Sequence, residues 1–368
     1  MTCSHSFRMR SCIVAIALCS MAALAGIIAG CSCDNKGNAR PLMEQADAYF
    51  YGSGPEGMDK IKAAEIYRQL ADSGNTDAMV KLGRMYCMES CGVDHDYKQA
   101  AQLFSDAGAA GNSEALWELG CLYEYGDSVK LDTEKAFTLY KKAADKGNSV
   151  ALYYLGCCYE DGIGTKADET LKTQYFDKAF KKLKAESAKP DEIRWYKLGN
   201  CYFYGYGTQP NHKEAIRWWR KAADRGYSMA QYYIGLCYAQ GDGIEKDLGE
   251  AMRWWQLAAA QGNEFAQYDI GRLYADGEGV ERNIGEAIRW WRMAAEKGNA
   301  EAQNSLGVCY EKGEGVPQSD DEAIKWWRLA AEQGHTTARH YMGLCYEQGI
   351  GVIPDLKQAR AWYRLAGE

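Results

Sequence analysis

The chain has 368 residues, with 43 Lys and Arg against 50 Asp and Glu, for a formal net charge of −7. That acidic balance argues against a nucleic-acid backbone as partner, because such binding rests on positive charge. With 47% hydrophobic residues and only six prolines, the composition also argues against a disordered chain.

Residues 1–30 read as a targeting segment rather than part of a fold. Arg8 and Arg10 give it a basic start, and residues 13–28 are an apolar run too short to span a bilayer comfortably. The run ends Ile28-Ala29-Gly30-Cys31, which resembles the bacterial lipoprotein cleavage box, with small residues before an obligatory cysteine. The resemblance implies cleavage before Cys31, a diacylglyceryl group on its sulfur and acylation of the new N-terminus. Two or three acyl chains anchor a protein stably where one does not. Ser32 follows instead of the aspartate associated with inner-membrane retention, which points to an outer membrane in a cell that has both. Loss of the first thirty residues takes away Arg8 and Arg10 and leaves a net charge of −9. Residues 31–40 then form a short lipidated tether.

From residue 41 the chain rewrites one unit. Residues 230–262 read AQYYIGLCYAQGDGIEKDLGEAMRWWQLAAAQG and residues 266–298 read AQYDIGRLYADGEGVERNIGEAIRWWRMAAEKG, an offset of 36. Self-similarity at this period marks a stacked array of helix pairs. Ala230, Ile234, Cys237 and Tyr238 lie on one face of a first helix, which stops at Gly241-Asp242-Gly243. A second helix starts at Asp247, with Glu250 completing a capping box. The same pattern recurs at Asp96/Gln99, Asn211/Glu214, Asn283/Glu286, Ser319/Glu322 and Asp355/Gln358. Ala251, Trp254, Trp255, Ala258 and Ala259 define its buried stripe, and Gly262 ends it in the left-handed conformation.

A glycine recurs at Gly83, Gly120, Gly156, Gly199, Gly235, Gly271, Gly307 and Gly343, each followed three residues later by tyrosine. The glycine removes a side chain where two helices would collide, and the tyrosine is expected to cover the gap. The aromatic pair of the second helix changes along the chain, from Leu103-Phe104 and Leu139-Tyr140 through Tyr175-Phe176 to Trp218-Trp219, Trp254-Trp255, Trp290-Trp291, Trp326-Trp327 and Trp362-Tyr363.

The A-x-x-x-[LI]-G-x-x-Y step, the G-x-G-[VI] turn and the E-A-I-x-W-W-x-x-A-A-x-x-G helix closely resemble the Sel1-like repeat family, relatives of the tetratricopeptide repeats. The resemblance covers roughly residues 41–368. It implies an all-α fold, a right-handed α/α superhelical solenoid of about nine repeats, used mostly for protein–protein contact and assembly. One interval between repeat glycines, Gly156 to Gly199, is 43 residues long instead of 36 or 37. The extra residues fall in 180–191, and they separate divergent repeats in 41–190 from regular repeats in 191–368. They read either as a lengthened second helix with a longer loop, or as a bend or docking feature.

Of fourteen cysteines, ten remain after the signal and the lipidation site are set aside. Cys158, Cys201, Cys237, Cys309 and Cys345 each precede a repeat tyrosine, where Met85, Leu122 and Leu273 stand elsewhere. That exchange favours small buried hydrophobes. Cys87 and Cys91 are spaced to pair at a helix end in an oxidising compartment. Only one pair has the C-x₂₋₄-C spacing of a zinc site and the five histidines are scattered, so neither a metal site nor a cofactor is expected. Residues 52–57 spell G-x-G-x-x-G without a preceding strand and read as a turn. P-loop, H-E-x-x-H and G-x-S-x-G motifs are absent, as is S-x-x-K after Cys31, so the chain does not read as an enzyme.

Three residues before each repeat glycine runs a row that includes Trp117, Tyr153, Tyr196, Tyr232 and Tyr268. Solenoids display such rows along one surface, so the row reads either as a ligand-facing strip for a peptide or glycan, or as packing between helices. The sequence therefore points to a non-catalytic scaffold in a bacterial envelope, membrane-bound through Cys31, that holds an unidentified envelope protein. The alternative is a cell-wall or polysaccharide binder, in which Trp117, Tyr232 and Tyr268 would lie exposed on one face.

Overall fold

A computed structural model describes residues 39–88, 92–126 and 129–368. The residues read from the sequence as a targeting segment, with Cys31, and Cys91 lie outside the described residues. The described chain is an all-α repeat solenoid of eighteen helices with no strand among them. In order, the pairs are α1 (Ala39–Tyr51) with α2 (Lys60–Asp72), α3 (Thr76–Tyr86) with α4 (Tyr97–Ala109), α5 (Ser113–Tyr125) with α6 (Thr133–Asp145), α7 (Ser149–Asp161) with α8 (Glu169–Glu186), and α9 (Glu192–Tyr204) with α10 (His212–Asp224). They continue as α11 (Ser228–Gln240) with α12 (Leu248–Ala260), α13 (Glu264–Asp276) with α14 (Ile284–Glu296), α15 (Ala300–Lys312) with α16 (Asp320–Glu332), and α17 (Thr336–Gln348) with α18 (Leu356–Ala366). The first helix of each pair is called A and the second B.

Helix starts follow the sequence closely. Asp96, Asn211, Asp247, Asn283, Ser319 and Asp355 each accept a backbone N–H from the first turn of the B helix they precede. This satisfies donors that the helix itself leaves free. The A helices use a second set of caps, Asn75, Asn112, Asn148, Asn263, Asn299 and His335. Gly262 takes φ +86° after its B helix, a conformation open to glycine at no steric cost.

The repeat glycines seat an aromatic ring, and not the ring expected. The second aromatic of the B-helix pair lies on the glycine: Phe104 on Gly83, Tyr140 on Gly120, Trp219 on Gly199, Trp255 on Gly235 and Tyr363 on Gly343. A Cβ at Gly120 would come within 2.6 Å of the Tyr140 ring. Trp219, Trp255 and Trp327 are accordingly among the largest fully buried side chains. The tyrosine three residues on contributes its backbone instead. Its carbonyl accepts the N–H of the B-helix N-cap, as from Asp247 to Tyr238 at 2.9 Å and from Asn283 to Tyr274 at 2.8 Å. The glycine therefore makes the A–B contact close, and the tyrosine ties the start of helix B to the end of helix A.

The long interval resolves into a longer α8, of 18 residues where its neighbours have 13, and a five-residue connection to α9 where α6 and α7 are joined by three. The five cysteines before the repeat tyrosines are all buried, between 0% and 4% exposed. Packing divides the described chain after Tyr227, so that α1–α10 form one compact unit and α11–α18 another. The 190/191 boundary drawn from the sequence falls inside the first unit.

Candidate functional site

In the first unit the A-helix row turns inward. Trp117 is 4% exposed, Tyr153 5% and Tyr196 3%. The Trp117 indole donates to Glu114 at 3.0 Å and its ring stacks on Tyr154 at 5.8 Å. Tyr153 meets Phe176 and Tyr206 edge-on, and those two rings stack at 3.8 Å. Tyr196 packs against Tyr227 and accepts the Trp219 indole N–H on its carbonyl at 3.2 Å.

Around these rings runs a charged network that the row did not reveal. Glu114 is its centre. One carboxylate oxygen accepts from Asn148 at 2.8 Å and from Arg194, and the other accepts from Arg84 at 3.2 Å. Arg84 also binds Glu118, and Arg194 also binds Asp191 and Glu186. Burial opposes the Arg84 charge, but Glu118 and Glu114 outweigh it and raise its pKa. Burial likewise opposes the Asp191 charge, yet Arg194 holds its carboxyl below the usual range. Lys197 lies 4.3 Å from the centre of the Tyr154 ring and 4.8 Å from that of Tyr153, a cation–π arrangement.

Further along this side, the first repeat reaches the fifth. The Tyr51 hydroxyl donates to Glu192 at 2.7 Å, Arg225 bonds Glu192 at 3.2 Å, and the Arg225 guanidinium lies 3.9 Å from the Tyr51 ring centre. The Tyr51 pKa is raised, first by burial and then by Glu192.

In the second unit Tyr232 is 6% exposed and Tyr268 is half-buried. Their carbonyls accept the indole N–H groups of Trp255 and Trp291, each at 3.2 Å. Beside them Asp269 is buried with Arg272 at 3.4 Å, and burial pushes its carboxyl up to about 6. The row residues thus serve mainly as packing. The informative polar groups occupy neighbouring slots, Glu114 and Glu118 on α5, Lys197 on α9 and Asp269 on α13. A partner of Glu114 had a visible signal: Arg194 stands where other A helices hold Ala78, Ala115, Ala151, Ala230, Ala266, Ala302 and Ala338.

The outer, B-helix side of the first unit carries an open cleft of ≈ 770 Å³ between α4 and α6, floored by α5. Cys87 is half-buried at the end of α3.

A sequence model described as the Sel1 repeat matches nine segments of the chain, residues 46–75, 76–112, 113–148, 149–181, 196–227, 228–263, 265–299, 300–335 and 336–368. No curated protein matches the chain. Among solved structures, the chain is similar to a Sel1 repeat protein from Oxalobacter formigenes, at 30% identity over 82% of this chain and 85% of that one, with a TM-score of 0.50. It is also similar to a protective antigen of uropathogenic Escherichia coli displaying an SLR fold, at 27% identity over 89% of this chain and 84% of that one, with a TM-score of 0.37.

Proposed function

The chain belongs to the Sel1 repeat family, and from that premise we propose that it is a non-catalytic scaffold, lipid-anchored at Cys31 in a bacterial envelope, that holds another envelope protein in place. The family's repeats are typically protein–protein interaction scaffolds. The observation that carries the reading is how the chain spends its residues. Nine matched segments run from 46 to 368, and the aromatic, glycine and cysteine positions repeated along them go into packing one helix on the next. That leaves the extended surface of the stacked repeats to recognise a partner, as expected of a solenoid.

A polysaccharide binder would stack sugar rings on exposed aromatics. With Trp117 and Tyr232 buried at 4% and 6% exposure, the row offers little surface for that. The test is crosslinking of the intact protein in cells, followed by mass spectrometry, with Cys31→Ser as the unanchored control. A consistent polypeptide partner, lost in the control, is the expected result. Wall glycan recovered without a consistent polypeptide would overturn the scaffold reading in favour of carbohydrate binding.

A further inference from the structure

The cleft between α4 and α6 marks a place where the array omits its own filler. In the second unit Trp290, Trp326 and Trp362, each the first aromatic of its B-helix pair, pack into the core cluster that contains the preceding B helix. Trp290 lies against the cluster that contains Met252 and Ala259, and Trp326 belongs to the cluster with Ile288 and Ala295. The slot of Trp290 is Leu139 on α6. The wall it faces is also smaller. Ala101 stands where α12 and α14 hold Met252 and Ile288, and Gly108 stands where they hold Ala259 and Ala295. Three reductions around one point leave a cleft of ≈ 770 Å³ over Leu116 and Leu119, within the range of roughly 300–1,000 Å³ usual for ligand clefts.

The rim is charged opposite to the chain as a whole. Lys98, Lys135, Lys142 and Lys146 line the cleft, with Asp145 the acid among its lining residues, on a protein of net charge −7. Lys135 occupies the slot where α10, α12, α14 and α16 place Glu214, Glu250, Glu286 and Glu322. It donates to the Tyr123 hydroxyl at 2.7 Å at the cleft's edge. Lys98, Lys142 and Lys146 are exposed. An apolar floor with a cationic rim selects for an apolar side chain flanked by carboxylates, and rim charges of this kind chiefly set orientation and encounter rate.

We propose that this cleft docks an acidic segment of a partner protein, which inserts one aromatic side chain where the array lacks its tryptophan and sets its carboxylates against Lys98, Lys142 and Lys146. The proposal rests on the scaffold reading and names the chemistry of the segment held. The test uses the purified full chain and fluorescence anisotropy with a labelled, Glu- and Asp-rich probe peptide carrying one central tryptophan. Its Trp→Ala sibling and a Lys-rich version serve as comparisons. The acidic tryptophan peptide is expected to bind at least tenfold tighter than either. Leu139→Trp returns the array's own filler and is expected to keep or raise the melting temperature while weakening the peptide at least tenfold. The double variant Lys142→Glu, Lys146→Glu changes only exposed positions and is expected to weaken it similarly, with the remaining affinity less sensitive to salt.

Equal binding of the Ala sibling, or unchanged binding to a folded Leu139→Trp, would overturn the proposal. So would binding to vesicles of anionic phospholipid with none to the peptide, which would make the lysines a membrane-facing patch. If the partner crosslinked in cells is captured equally by wild type and Leu139→Trp, the cleft assignment fails and the scaffold reading stands. If the probe binds as described but cells yield no polypeptide partner, the cleft assignment stands and the scaffold reading fails.

Discussion

Asp269 illustrates how a single polar residue is tolerated inside a repeat core. Its carboxylate is held by Arg272 and by the Tyr232 hydroxyl, but burial dominates and lifts its pKa to about 6. An unfolded aspartate titrates near 3.9. Between those two values the folded protein binds a proton that the unfolded chain does not, so stability falls as pH rises through the window. Above the folded pKa the carboxylate costs up to about 3 kcal/mol, at 1.36 kcal/mol per pKa unit. Asp269→Asn keeps the shape and a hydrogen-bonding oxygen without the charge. We expect it to raise the melting temperature at pH 7 to 8, with the gain shrinking to nothing near pH 4. Thermal unfolding across that range checks this. A loss of stability at pH 7 would mean that the ion pair with Arg272 outweighs the cost of burial.

Helix α8 and the start of α9 show what an insertion does to an element. With five extra residues in α8 and a longer connection after it, the slot that other A helices fill with alanine is open enough to hold Arg194. Its guanidinium reaches Glu114 on α5, two repeats earlier, as well as Glu186 and Asp191 nearby. Arg194→Ala restores the residue usual at the slot, yet it leaves three partly buried carboxylates short of a cation. Removing one partner of such a network destabilises strongly. We expect a loss of about 2–4 kcal/mol, partly recovered by adding Glu114→Gln, as read from denaturant midpoints. A neutral Arg194→Ala would show that the guanidinium only fills space. The same region marks the limit of what the sequence shows. Helix pairs, caps and the lengthened α8 were legible because each depends on spacing along one helix or one turn. The identity of the ring on each glycine was not, because Trp255 and Tyr238 are both plausible neighbours of Gly235 until the A–B crossing is known. The Glu114 network was hidden for a related reason. Its members come from α3, α5, α8 and α9 and from the caps of α7 and α9, and only the curl of the unit brings them together.

At the scale of the molecule, the two compact units are held in different ways. In α11–α18, polar links such as Arg282–Glu314 and Lys297 to the Gly262 carbonyl join one repeat to the next. Stability in such an array is close to a sum of nearest-neighbour terms, so a local change stays local. In α1–α10 the chain also closes on itself, since Tyr51 of the first repeat meets Glu192 and Arg225 of the fifth. A terminal helix is ordinarily the first part of a domain to fray, and here α1 is fastened at its far end by residues more than 140 positions away. The contact should therefore appear in native-state exchange. Glu192→Ala removes the acceptor of the Tyr51 hydroxyl and the partner of Arg225. We expect deuterium uptake to rise across α1, and at the end of α10 that carries Arg225, while α13–α18 are unchanged. A rise confined to α9 and α10 would mean that α1 is held by α2 alone and that the closure adds nothing to its stability. A rise in α1 would establish that the first unit is a closed block rather than an open stack. Its A-helix side would then be occupied by its own side chains, leaving partners to engage the outer face, where the cleft between α4 and α6 lies.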